Sequence, residues 1–253
     1  MDTSVPSANQ SPWLPFHSRR RARDEKREAV LRTAVGLFLE QGYHRTTLND
    51  VAERLNVTKP ALYNYFGGKD EILFECWAIG NERVEDRINE IAAGGGTGLA
   101  KLRKLVVRYA EVMTTDYGKS LVRFDVRDLT EHNRKVVNTA KKKIDRAFRS
   151  YISDGIADGT IKPCDPKLAA FAIAGSLNWI GHWFQPGGPM TGDAVAEEFA
   201  IRLTEGIATT ATRKKADKPP GKSNPPREDR SEHYARTAAR AAGQSKRARD
   251  RLR

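Results

Sequence analysis

Between Thr58 and Lys69 the side chains are of the kinds that touch nucleic acid, and their spacing puts them on one side of a short helix. Leu62 and Phe66 are four apart and face inward, which leaves Pro60, Ala61, Tyr63 and Asn64 outward with Lys59 and Tyr65 on the shoulders. Small, aromatic and amide groups on such a face suit reading of a major groove, because the backbone has to approach base edges closely. Lys69 follows in a position to meet a phosphate.

Two earlier elements must hold that face in place. Thr47 is placed to cap a helix through its hydroxyl, and Asp50 favours the positive end of the same helix, whose buried stripe is Leu48, Val51, Ala52 and Leu55. Asn56 and Val57 make a tight turn, after which Thr58 is placed to cap the next helix and Pro60 is tolerated in its first turn. In the helix before, Val30, Ala34, Leu37, Phe38 and Gln41 share a face and Gly42 ends it. Periodicity alone fits any compact three-helix bundle equally well.

Other chemistries find little support. There is no Gly-rich phosphate loop, no Gly-x-Ser-x-Gly and no His-Glu-x-x-His, so an enzyme is not expected. Cys76 and Cys164 are the only cysteines, and His132, His182 and His233 are scattered singly, so neither a metal site nor a cofactor is expected. The polar, proline-containing start does not read as a secretory signal, and the apolar stretch from Leu168 to Phe184 is shorter than the roughly 20 residues of a membrane span. A cytoplasmic location is the expectation.

The chain has 253 residues, 39% of them hydrophobic, and a formal charge of +12, which suggests a polyanionic partner. From Arg213 to Arg253 there are 14 basic and 5 acidic residues, so +9 of that charge lies on a proline-broken tail expected to be disordered. Apolar residues elsewhere repeat at three and four, and the expected class is all-α. Helices are expected at 24–41, 47–55, 59–66, 69–92, 98–115, 119–129, 131–157, 166–184 and 191–210. The expected organisation is a flexible basic arm at 1–23, a DNA-binding domain at 24–68, a ligand-binding and dimerisation domain at 69–212, and the tail from 213. Arg19, Arg20, Arg21, Arg23, Lys26 and Arg27 fit either an arm that reaches DNA or a solvated charge run.

The run from Thr46 to Phe66, with Lys69 and Glu71 beyond it, closely resembles the helix-turn-helix of TetR-type regulators. So does Ala34-Val35-Gly36-Leu37-Phe38 ahead of Gly42-Tyr43; Gly67-Gly68 departs from the usual pattern. The resemblance implies three DNA-binding helices followed by about six that enclose a ligand pocket and form a homodimer. It implies phosphate contacts at Thr47, Tyr63 and Lys69, and groove contacts at Thr58, Lys59, Pro60, Ala61, Asn64 and Tyr65. The expected activity is repression at operator DNA relieved by a small-molecule effector; an activator of the same fold and an architectural binder without sequence choice are the alternatives.

Farther on, the stretch from Ser176 to Gly188 resembles regulators of fatty-acid, steroid or aromatic-acid breakdown, a group that responds to acyl-CoA thioesters. That resemblance suggests an apolar acid or its thioester at Asn178, Trp179, Trp183 and Phe184, with phosphates at Arg123, Arg127 or Arg146. The aromatic residues fit core filling or a dimer contact as well. Residues 166–184 and 191–210 carry the stripes expected to pair in the dimer.

Overall fold

A computed structural model describes residues 16–207, with side chains from Arg20 onward. Among the described residues the chain is helical: α1 Phe16–Gln41, α2 Leu48–Arg54, α3 Lys59–Tyr63, α4 Lys69–Ala93, α5 Gly98–Met113, α6 Asp116–Arg123, a 3-10 turn Val126–Asp128, α7 Glu131–Ala157, α8 Pro166–Trp183 and α9 Gly192–Glu205. The all-α class is as expected. The proposed tail and most of the proposed N-terminal arm lie outside the described residues.

Helix boundaries follow local chemistry. Thr97, Thr115, Thr130, Asp165 and Thr191 each stand before a helix and accept a backbone N–H from its first turn. Thr47 and Asp50 form a reciprocal capping box, at 2.7 Å for Thr47 N to Asp50 Oδ2 and 3.2 Å for the return bond. Between α2 and α3 the chain turns at Asn56, whose φ of 54° lies in the left-handed region that asparagine tolerates.

Three expectations need correction. Helix α1 starts at Phe16, not 24, because Arg, Ala, Glu and Lys are good helix formers without an apolar stripe, and Arg21 pairs with Glu25 one turn on. The helix expected at 119–129 is α6 followed by the 3-10 turn; Thr115 caps it earlier, and Phe124 has extended backbone that ends it. The hydroxyl of Thr58 makes no cap bond, since Pro60 has no N–H and the Ala61 N–H goes to the Thr58 carbonyl at 2.9 Å.

The core is continuous from α1 to α9, with α5 packed against α4, α6, α7, α8 and α9. Helix α6 is held especially closely. A Cβ on Gly80 of α4 would stand 2.3 Å from the Tyr117 carbonyl oxygen, and one on Gly118 would stand 1.7 Å from the Val112 carbonyl oxygen. On the α8 side, a Cβ on Gly181 would meet Val122 at 2.7 Å. The backbones of α4 and α5 therefore meet that of α6 at distances only glycine allows, and the α8 backbone closes on the Val122 side chain at a third glycine.

Candidate DNA interface and effector cavity

Helices α1 to α3 carry the face that the sequence offers to DNA. Leu62 and Phe66 are 2% and 3% exposed and anchor α3 in the core, while Lys59, Pro60, Tyr63 and Asn64 are exposed and Ala61 is half-buried. Thr47 and Thr58 are exposed at the first ends of α2 and α3. The Thr58 hydroxyl, free of a cap bond, remains available to a partner. Tyr65 is different: it is half-buried and packs against the core.

Lys69 is not the free cation that its sequence position suggests. Its ammonium donates to the carbonyl oxygens of Tyr43 at 2.9 Å and Thr46 at 3.0 Å, and lies 4.2 Å from the centre of the Tyr43 ring. It clamps the first residue of α4 to the loop before α2. Thr46, which is fully buried, completes the clamp: its hydroxyl lies within 2.9 Å of the Gly42 carbonyl oxygen and accepts from Gln41 at 3.2 Å. Burial, with Asp70 and Asp128 nearby, pushes the Tyr43 hydroxyl up to about 12, so the ring under Lys69 stays neutral.

Behind this head lies a cavity of about 550 Å³, walled by residues of α4 to α8 and the segment after α6. Leu121, Val122, Ile144, Phe148, Ala170 and Ala174 give it an apolar wall, and Trp77, Tyr109, Lys141, Asp145, Asn178 and His182 bring polar atoms. The Tyr109 hydroxyl donates to Asn178 Oδ1 at 2.7 Å, and burial raises its pKa far above the usual value. Arg149 grips Asp145 at 2.6 Å. Lys141 is exposed at the rim, and lost hydration there lowers its pKa, with Asp125 opposing.

Of the ligand-binding residues expected from sequence, the structure brings Asn178 to this cavity and none of the others. Trp179 is 63% exposed and stacks on His182, while Trp183 is 44% exposed and stacks on Phe199. Phe184 is buried beneath the Lys119 ammonium, outside the cavity wall. Arg123 donates to the Leu39 carbonyl oxygen at 2.9 Å, Arg127 binds Asp125 at 2.5 Å, and Arg146 is exposed away from the wall. The physical reason is that α8 is apolar on both sides: Ile173, Leu177 and Ile180 face the core, while Leu168, Trp179 and Trp183 face out and Phe171, also exposed, edges the cavity. Lys141 is one of the basic residues that the sequence offers for ligand phosphates, but sequence reasoning misses Ile144, Asp145 and Phe148 on the same face, although their three- and four-residue spacing is legible.

Cavity and head share a wall. Phe124 lines the cavity and meets Phe38 of α1 edge to face, with ring centres 5.8 Å apart. Beside it, Arg123 holds the α1 carbonyl of Leu39, and Asp128 meets His44 of the loop after α1 at 3.2 Å. Helix α9 packs its Val195, Ala196 and Ala200 inward on α5, so less of it faces out than the sequence stripe suggests. No described helix is long and apolar enough to cross a membrane.

The architecture has solved counterparts. The ketosteroid transcriptional regulator KstR2 of Mycobacterium tuberculosis superposes with a TM-score of 0.69 at 21% identity, over 73% of this chain and 95% of that one. AibR, solved in complex with isovaleryl coenzyme A and operator DNA, superposes with a TM-score of 0.63 at 25% identity, over 70% of this chain and 97% of that one. In sequence, the HTH-type transcriptional repressor KstR2 of Rhodococcus jostii is 25% identical over 190 residues, which cover 73% of this chain and 92% of that protein. These relatives are transcriptional regulators, not enzymes. Residues 30–76 match the family of bacterial regulatory proteins named tetR, and residues 95–207 match the tetracyclin repressor-like C-terminal domain. With both parts matched in order on one chain, and with the capped recognition head and the helical body described above, this protein belongs to the TetR family of transcriptional regulators.

Proposed function

We propose that the chain is a ligand-released repressor: a homodimer that binds a near-palindromic operator and lets go when an apolar acid or its coenzyme A thioester enters the cavity behind α4. Thr47 and Tyr63 would meet phosphates, and Thr58, Lys59, Pro60, Ala61 and Asn64 the groove. The exposed apolar face of α8, from Leu168 through Phe171 and Trp179 to Trp183, supports a dimer about a two-fold axis, since such a patch is costly to leave in water. That AibR was solved with an acyl thioester and operator DNA supports the ligand class.

The observation that carries the reading is Phe124, one ring shared between the cavity wall and Phe38 of the head. A ligand that shifts this ring changes the seat of α1, and with it the spacing of the two recognition helices; it favours the form whose cavity fits it better. A coupling of about 1–3 kcal/mol would lower operator affinity roughly 5–150-fold. The test starts from DNA captured by the purified protein, whose affinity is measured with isovaleryl coenzyme A, longer acyl thioesters and the free acids. Phe124→Ala is expected to bind operator and ligand but to lose most of the coupling. Unchanged coupling in that variant, or no effect of any acid or thioester on the native protein, would overturn the reading.

A further inference from the structure

Among the described residues of the cavity wall, the side-chain amide of Asn178 is held so that it can only donate. Tyr109 of α5 is 6% exposed, and burial keeps its hydroxyl protonated far above the usual range. A buried O–H needs an acceptor, and Asn178 Oδ1 of α8 supplies it at 2.7 Å. With the amide turned the other way round, the hydroxyl would face an NH2 group and its own proton would be left unpaired, so the turned form is disfavoured. The Asn178 oxygen is thereby engaged within the protein, and the nitrogen is left for the cavity that Asn178 lines. Among the described residues Nδ2 bonds to nothing, yet it is not shut away from solvent as the Trp77 indole nitrogen is. On α8 it stands in one stripe with Phe171, Ala174, Gly175 and His182, three or four residues apart, all of which line the cavity.

The facing wall holds little that competes for this donor. Both oxygens of Asp145 are held by Arg149, at 3.0 and 2.6 Å, and the side chains of Leu121, Val122, Ile144 and Phe148 offer only apolar contact. We infer that Tyr109 and Asn178 work as a pair: the tyrosine fixes the amide so that its NH2 is offered to the cavity, and the cavity selects effectors by an acceptor oxygen, the acyl carbonyl of an acid, ester or thioester. This rests on the effector reading of the cavity and assigns the atom that reads the acyl group. A carbonyl oxygen pairs the free N–H, whereas a ligand N–H would face it donor to donor and a hydrocarbon would strip its water and leave it without a partner. Asn178 is then the specificity residue, and Tyr109, which acts through it, a positioning residue.

The experiment is calorimetry with three neutral bicyclic probes of nearly one shape: indanone, which carries a carbonyl acceptor; indole, which carries an N–H donor; and indane, which carries neither. Neutral probes remove the Lys141 charge as a cause of any preference. In the native protein indanone is expected to bind about tenfold tighter than indole or indane. Asn178→Leu should bring all three within about twofold of one another. Tyr109→Phe, which frees the amide to turn, should cut the ratio of indanone to indole to about threefold and leave indane unchanged; a residue that served packing alone would move all three together. Octanoic acid and octanoyl coenzyme A are titrated alongside, and the one that loses affinity in Asn178→Leu is the acyl source that the site takes. Equal binding of the three probes by the native protein, or a preference for indanone that survives Asn178→Leu, overturns the inference and leaves the effector cavity standing. If the probes and both acyl compounds all fail to bind, the effector reading falls with it.

Discussion

Replacing Lys69 by methionine separates two accounts of a residue that sequence alone assigns to a phosphate. The structure gives its ammonium two carbonyl acceptors, at 2.9 and 3.0 Å, and a tyrosine ring 4.2 Å away. Charge-assisted bonds contribute about 1.5–3 kcal/mol each when buried and much less in water; Lys69 is half-buried, so about 1 kcal/mol each is the reasonable figure. The ring adds roughly 0.5–1 kcal/mol. Methionine keeps the apolar stem and forfeits about 2–3 kcal/mol, which for a body of this size lowers Tm by about 4–12 °C. The assay pairs thermal unfolding with operator binding across a range of salt. A clamp predicts the drop in Tm with an unchanged slope of log affinity against log salt. A phosphate-binding role predicts the reverse: native Tm, with the slope reduced by about 0.9 for each phosphate left without its cation. That second outcome would refute the reasoning.

Other outcomes are equally definite. Tyr63→Ala is expected to weaken binding to all DNA alike, and Asn64→Ala to cost about 1–3 kcal/mol at the preferred operator with a shift in base preference; competition with variant operators reads both. Trp179→Glu, which puts a charge on the exposed face of α8, should convert a dimer to monomers in sedimentation while the helical signal stays unchanged. Gly118→Ala drives a methyl group against the Val112 carbonyl oxygen and should cost about 3 kcal/mol, seen as a lower Tm whether or not DNA is present.

How much of this is legible in the sequence depends on whether a feature is local. Helices α7 and α8 begin where sequence reasoning puts them, because Thr130 and the pair Asp165-Pro166 declare a start within four residues. The outward face of α3 is legible for the same reason: Leu62 and Phe66 fix its orientation. Helix α6 escapes such reasoning because its start depends on Thr115, in a stretch with few apolar residues to mark a period. The roles of Lys69 and Arg123 are hidden because their acceptors, Tyr43, Thr46 and Leu39, are 26, 23 and 84 residues away, beyond any local rule. Trp179 and Trp183 show a different limit. Spacing tells which residues share a face, but when a helix is apolar on both faces it does not say which one meets its own core.

The close seating of α6 bears on how the cavity could be reshaped. The glycines that fix its position, at 80, 118 and 181, lie outside the cavity wall, and the side chains that shape the cavity, such as Ile144, Phe148 and Ala174, are on α7 and α8. The two sets meet at Leu121 and Val122 of α6, which wall the cavity and would be met by a Cβ at Gly80 and Gly181 respectively. If the cavity is the effector site proposed above, a change at 144 or 174 alters what fits it and leaves the glycine seats of α6 in place.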